Sequence, residues 1–180
     1  MVCPFFIIYL KSELKNLMVQ LERLKIAMCE YYRGDKKRIN HFIKVHSYAK
    51  CIGELENLSY DELFTLETAS IVHDIGIKNS ELKYNSSSGK YQEIEGVPEA
   101  RKLLESLNFE SSTIDRVCYL VGHHHTYTNI QGMDYQILVE ADFLVNLFED
   151  NNSIESVKSV KSTIFKNKTG ILLLENIFNV

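Results

Sequence analysis

The chain contains no Gly-rich phosphate loop, no internal repeat and no sustained alternation of apolar and polar residues, so a nucleotide-binding α/β fold has little support. It has no apolar run long enough to cross a bilayer. The N-terminal stretch from Pro4 to Leu10 is far too short, lacks a basic flank and a small-residue cleavage site, and is read as neither signal peptide nor anchor. Cysteine is sparse and dispersed. Cys3, Cys29, Cys51 and Cys118 lie far apart, the last three inside segments read as helices, which suggests neither a metal clip nor a disulfide framework and fits a reducing cytoplasm. Nor is there an excess of positive charge: 20 Lys and Arg against 24 Asp and Glu give a net charge of −4, and the basic residues are scattered. A nucleic-acid polymer is therefore not an expected partner, whereas a small anionic substrate is allowed.

What is present is an ordinary globular composition, 45% hydrophobic and 24% charged, over 180 residues, enough for one core without covalent staples. The period is helical throughout, and the expected class is all-α. Leu14, Leu17, Met18, Leu21, Leu24, Met28 and Tyr31 recur at three- and four-residue spacing and predict a helix over 12–32 that ends at Gly34. A second helix is expected over 36–55, with Asp35 as N-cap and Ile39, Phe42, Ile43, Ala49 and Ile52 inward. Ser59 and Glu62 have capping-box spacing for a third, running through Leu63, Leu66, Ala69, Val72 and Ile75 to Gly76 as its C′ residue. Residues 77–96 show no period and predict a long surface loop able to act as a lid.

Pro98 suits the first turn of a fourth helix reaching Leu107, and Ser112 with Asp115 offers a cap for a fifth that delivers His123, His124 and His125. A sixth helix over 134–150 turns Ile137, Leu138, Ala141, Leu144, Val145 and Phe148 inward, and a seventh begins after Ser153. The expected organisation is an N-terminal helix (1–35) packed on a central bundle (36–150), with a helical extension (151–180) belonging to the same domain. The leucine-rich tail from Ile171 to Phe178 suits core or oligomer packing, and a homodimer is compatible with it.

The candidate chemistry centres on His73-Asp74 at a helix end, where an imidazole and a carboxylate can face one metal. Alone the dipeptide also fits a His interacting with its neighbour and the helix dipole. Its company changes the weight: His41 in the preceding helix, a His run after the fifth, and Asp142 in the apolar stretch Leu138 to Val145, where a lone buried carboxylate is costly without a compensating cation or hydrogen bonds. His46 lies off the register of His41 and is read as structural.

On these residues the chain resembles the HD-domain phosphohydrolase superfamily, over about 36–150. His41-Phe42-Ile43-Lys44-Val45 is similar to that family's first ligand helix, Ala69 to Gly76 to its namesake motif, and Ala141-Asp142-Phe143-Leu144 to its closing Asp. The resemblance implies an HD-domain helical bundle with one divalent ion at its centre, held by His41, His73, Asp74 and Asp142. The ligand types suit Mn, Fe, Co, Ni, Mg or Zn. Two positions depart from the family pattern: Ile77 stands where a Lys often follows His-Asp-x-Gly, with Lys78 one place later, and Val145 stands where an Asp often follows the closing one. Residues 77–122 hold no His, so one ion is expected rather than two; Glu93 and Glu95 are the carboxylates near which a second could sit.

The implied activity is hydrolysis of phosphate esters or anhydrides of a nucleotide or similar small metabolite by metal-activated water, in the cytoplasm and with no membrane partner. Asp74, His123 and His124 are the expected catalytic groups, and Lys44, Lys78 and Arg101 the groups that hold anionic oxygens. The alternative is a catalytically weak sensor that keeps the metal and binds a nucleotide without turnover.

Overall fold

A computed structural model gives the fold. It describes the backbone from Pro4 and the side chains from Lys15 onward; Cys3, the side chains of the Pro4 to Leu10 run and that of Leu14 lie outside the described residues. Among the described residues there are nine helices and no strand: α1 (Pro4–Tyr31), α2 (Lys36–Leu55), α3 (Tyr60–Val72), α4 (Ile77–Tyr84), α5 (Gly89–Ser106), α6 (Ser111–Val121), α7 (Met133–Glu149), α8 (Ile154–Thr163) and α9 (Lys168–Phe178). The protein is all-α.

Local chemistry sets several starts. The Asp35 side chain accepts from Arg38 N (3.0 Å) at the head of α2, Ser59 and Glu62 form a reciprocal capping box on α3, and Ser153 accepts from Ser156 N on α8. The helices then bury their apolar stripes in one core. Phe42, Val45, Ala49 and Ile52 of α2 meet Leu66, Ala69 and Val72 of α3 and Ile137, Leu138, Ala141, Leu144 and Val145 of α7. α6 packs on α3 and α5 on α6, while α1 lies across α3 through Leu21, Leu24 and Met28. Each fully buried Leu or Ile is worth about 1.5–3 kcal/mol over exposure. Displacing α7 to move Asp142 would thus sacrifice several such contacts, and Asp142 inherits the rigidity of the core.

The structure departs from the sequence expectations at several points. α1 begins at Pro4, earlier than the period indicated, and Met18, Ile43 and Phe148 face solvent. Residues 77–96 are not a loop: α4 and the first turns of α5 occupy them, separated only by 85–88, with Asn85 left-handed at φ 49°. Their inner faces carry Ser80, Gln92, Glu95 and Gly96, so no apolar period marks them. Pro98 lies inside α5 rather than in its first turn; the Ile94 carbonyl that its missing N–H leaves free sits on an exposed side, where water can satisfy it. α6 starts after Glu110 with no side-chain cap, so neither Ser112 nor Asp115 plays that part. Gly76 is right-handed (φ −72°) and is no left-handed helix stop. Glycine is needed there because a Cβ would collide with the backbone of Gln92 and Gly96 where α5 crosses.

Candidate metal centre

Three helices aim side chains at one point. His41 comes from the second turn of α2, His73 caps α3, Asp74 follows in the tight turn to α4, and Asp142 comes from mid-α7. The end of α1 fixes that turn: Tyr32 Oη donates to the Asp74 carbonyl (2.6 Å) and Tyr31 Oη to that of Ile75 (3.2 Å). His41 Nε2 lies 3.3 Å from His73 Nε2, 3.1 Å from Asp142 Oδ1 and 3.5 Å from Asp74 Oδ2. His73 Nε2 is 3.5 Å from both carboxylates. On the far side of Asp74, His124 Nε2 stands 3.5 Å from Oδ1.

The outer ring nitrogens determine what these atoms offer. His73 Nδ1 faces the Ser70 carbonyl (2.9 Å) and His124 Nδ1 that of Val121 (2.8 Å); a carbonyl only accepts, so both Nδ1 atoms carry hydrogen. His41 Nδ1 donates likewise to Glu149 Oε2 (3.2 Å), whose other oxygen accepts from Lys44 Nζ (2.8 Å). In the neutral rings all three Nε2 lone pairs therefore point at one another and at two carboxylates, the orientation that outer hydrogen bonds impose on metal-binding histidines. Acceptors so arranged repel unless a cation lies among them. His124 Nε2, moreover, is buried without any hydrogen-bond partner. Separations of 3.1–3.5 Å are also those of neighbouring donors each about 2.1 Å from a common ion. The residues fit a divalent metal.

Proton affinities reflect the same crowding. Burial opposes charging His41, yet the Asp142 hydrogen bond and the charges of Asp74, Asp142 and Glu149 outweigh it and push its pKa up to about 9. His73 is raised against its burial by Asp74 and Asp142. Asp74 and Asp142 are held well below the usual carboxylate range, because the surrounding imidazoles overcome their burial. Burial and the neighbouring His124 push His125 down to about 4.

Two donor groups share this space. His41, His73 and Asp142 form one; Asp74, His124 and His125 form the other. The expectation of a single ion rested on the lack of His in 77–122, but the structure carries His124 and His125 back to Asp74 from the turn after α6. His123 goes elsewhere: its ring stacks on Tyr119 (4.3 Å) and its Nδ1 donates to the Tyr119 carbonyl (2.7 Å). Glu93 accepts from His125 N (3.0 Å) and the Thr126 hydroxyl (3.1 Å), and Glu95 pairs with Lys83 and Tyr84, so both act as braces between segments. His46, buried, pairs with Glu67 at 2.9 Å.

The cluster opens into a cavity of about 400 Å³ walled by Lys37, Arg38, Gln92, His125, Asn146 and Glu149. Of the basic residues named from sequence, Lys44 is engaged with Glu149, Lys78 lies over the Tyr31 ring (4.9 Å) and Arg101 pairs with Asp115 (2.7 Å); none lines this cavity. Lys37 and Arg38, one helical turn before His41, take that place, with Arg38 held by Asp35 and Glu81. Helical spacing was the available signal, since residues three and four from a cluster residue share its face: Lys37 and Arg38 from His41, Asn146 from Asp142.

Among the described residues no helix is long and apolar enough to cross a membrane. No curated protein matches the chain. A predicted HD superfamily hydrolase from an uncultured Thermotogales bacterium is similar in structure, with a TM-score of 0.67 at 22% identity over 92% of this chain and 91% of that one. Residues 38–161, which include every donor of the cluster, match the HD domain, and the chain belongs to that family.

Proposed function

We propose that this chain is a metal-dependent phosphohydrolase that cleaves a phosphate ester or anhydride of a nucleotide or similar small phosphorylated metabolite. The HD family supports metal-dependent phosphate hydrolysis in general; the substrate class and the residue roles are our reading. One observation carries it: buried imidazole and carboxylate donors converge at the floor of a cavity whose rim bears Lys37 and Arg38. A divalent ion held there would supply a lowered pKa for a bound water and positive charge against a phosphoryl oxygen.

The chain's own residues do the rest. His41, His73, Asp74 and Asp142 hold the ion, drawn from Mn, Fe, Co, Ni, Mg or Zn, with Glu149 and the Ser70 carbonyl fixing the two imidazoles. Asp74 turns its second oxygen to His124 and His125, the place for a second ion. Lys37 and Arg38 orient the anionic substrate at the rim. His125, on the cavity wall between Gln92 and Tyr127, is held neutral by its burial and by His124, as a donor to that second ion would have to be. A cytoplasmic location belongs to the same reading and is supported by the free thiols Cys29, Cys51 and Cys118.

The test is phosphate release from a panel of nucleotides and phosphomonoesters with Mn, Co or Mg, for the wild-type chain and Asp74→Ala. Turnover by the wild type, abolished in the variant, is expected. Tight metal and ligand binding with no turnover under any condition would overturn the hydrolase in favour of a sensor.

A further inference from the structure

α1 carries apolar side chains on two opposite sides. Leu21, Leu24 and Met28 are buried against the bundle. Met18, Val19 and Ile26, which are 62%, 44% and 62% exposed, face away from it and with Ala27 form an open groove of about 710 Å³. Lys15, Glu22, Arg23 and Glu30 stand on the same face. Large apolar residues clustered on adjacent turns, interleaved with charges, differ from the single exposed hydrophobics of any surface.

We propose that this face is a homodimer interface in which α1 packs antiparallel on α1 of a second copy, about a two-fold axis passing between Glu22 and Arg23. In such an isologous contact, residues equally far on either side of the midpoint face each other across the interface. Glu22 then meets Arg23, Val19 meets Ile26, Met18 meets Ala27, and Lys15 meets Glu30. Among the α1 residues that line the groove, which Leu107 borders, every charge finds its opposite and every apolar residue finds an apolar one, each pair occurring twice. The register is specific, because moving the axis by half a residue sets Glu22 against Glu22 or Arg23 against Arg23. A surface complementary to itself in this way identifies the occupant as a second copy of this chain, whereas a groove for an unrelated partner has no reason to carry a palindrome of charge and apolarity. Glu22 also has a local partner, Lys25 at 2.8 Å, but the exposed i,i+3 pair is weak and leaves the carboxylate's other oxygen available.

The experiment is sedimentation equilibrium on the full chain as purified, for the wild type, Glu22→Arg, Arg23→Glu, the double swap Glu22→Arg/Arg23→Glu, and an equimolar mixture of the two single variants. These positions are exposed, and circular dichroism checks that each variant is folded. A concentration-dependent wild-type dimer is expected. Each single reversal creates like-charge contacts twice and should weaken the dimer about tenfold or more. The double swap should restore it to within a few-fold, and the mixture should form a heterodimer tighter than either variant alone. A wild type that stays monomeric at about 1 mM, or a dimer unmoved by the single reversals or not restored by the swap, would overturn the proposal. Neither result bears on phosphate release, so failure of this interface is separable from failure of the hydrolase reading.

Discussion

Removing metal should reverse the sign of the protein's pH dependence, and His41 sets the size of the effect. In the absence of an ion, His41 shares its proton with Asp142 at 3.1 Å and has a pKa of about 9 against an ordinary 6.5. A group whose pKa is raised by folding stabilises the fold fully below its unfolded value, and that contribution is lost as pH rises through the folded one. At about 1.36 kcal/mol per pH unit, the interval is worth about 3 kcal/mol, of which about 2 kcal/mol disappears between about pH 7 and pH 9.5. For a domain of this size that lowers Tm by about 4–8 °C. With a divalent ion bound, the ion replaces the proton, and its affinity rises as His41 deprotonates. Chelated and Mn-loaded protein should therefore diverge in a thermal melt series across this range, the first falling and the second holding or rising. His41→Asn, melted in chelator, should lose most of the slope. Parallel curves, or a chelated protein that gains stability towards pH 9.5, would refute the assignment of these groups to one cation-seeking cluster.

Three further outcomes follow from the geometry. Glu149→Gln keeps an acceptor for His41 Nδ1 but removes its charge, and should weaken Mn binding about 10- to 100-fold by titration calorimetry with the fold intact. An unchanged affinity would remove Glu149 from the account. Lys37→Ala should raise KM for the phosphorylated substrate about tenfold while metal content and kcat stay near wild type, since Lys37 lines the cavity rim and touches no donor. Gly76→Ala forces a methyl into the backbone of α5 and should cost about 1–3 kcal/mol or more in denaturant melts, with metal affinity reduced because the same turn carries Asp74; a neutral substitution would mean the α4–α5 contact is looser than described.

The elements with their own chemistry in sequence were legible. Asp35 and the Ser59-Glu62 box start α2 and α3 as their spacing indicates, and the apolar stripe of α7 is buried as expected apart from Phe148. What could not be read is what depends on the partner. α4 and α5 bury Ser80, Gln92, Glu95 and Gly96, so a face defined by close backbone approach and polar contacts left no apolar period. Glu140 and Asp142 look alike in the same apolar stretch. The fold separates them: Glu140 accepts from the backbone amides of Lys166 and Asn167 and fastens the chain before α9, while Asp142 faces the imidazoles. His123 and His125 were likewise indistinguishable, because which of three consecutive imidazoles turns inward is decided by the turn after α6, held by Glu93 and Tyr135. Lys78 and Arg101 are basic residues able to hold anionic oxygens but face away from the cavity, whereas Lys37 and Arg38 reach it by sharing a helix face with His41.

We propose that His41, His73, Asp74 and Asp142 form a metal centre. Its most direct test is the metal content of the chain, by elemental analysis after loading with Mn or Co and exhaustive dialysis, beside Asp142→Asn of verified fold. The account predicts at least one ion per wild-type chain and a large loss in the variant; a wild-type chain that retains no metal, or a variant that retains it undiminished, would contradict it.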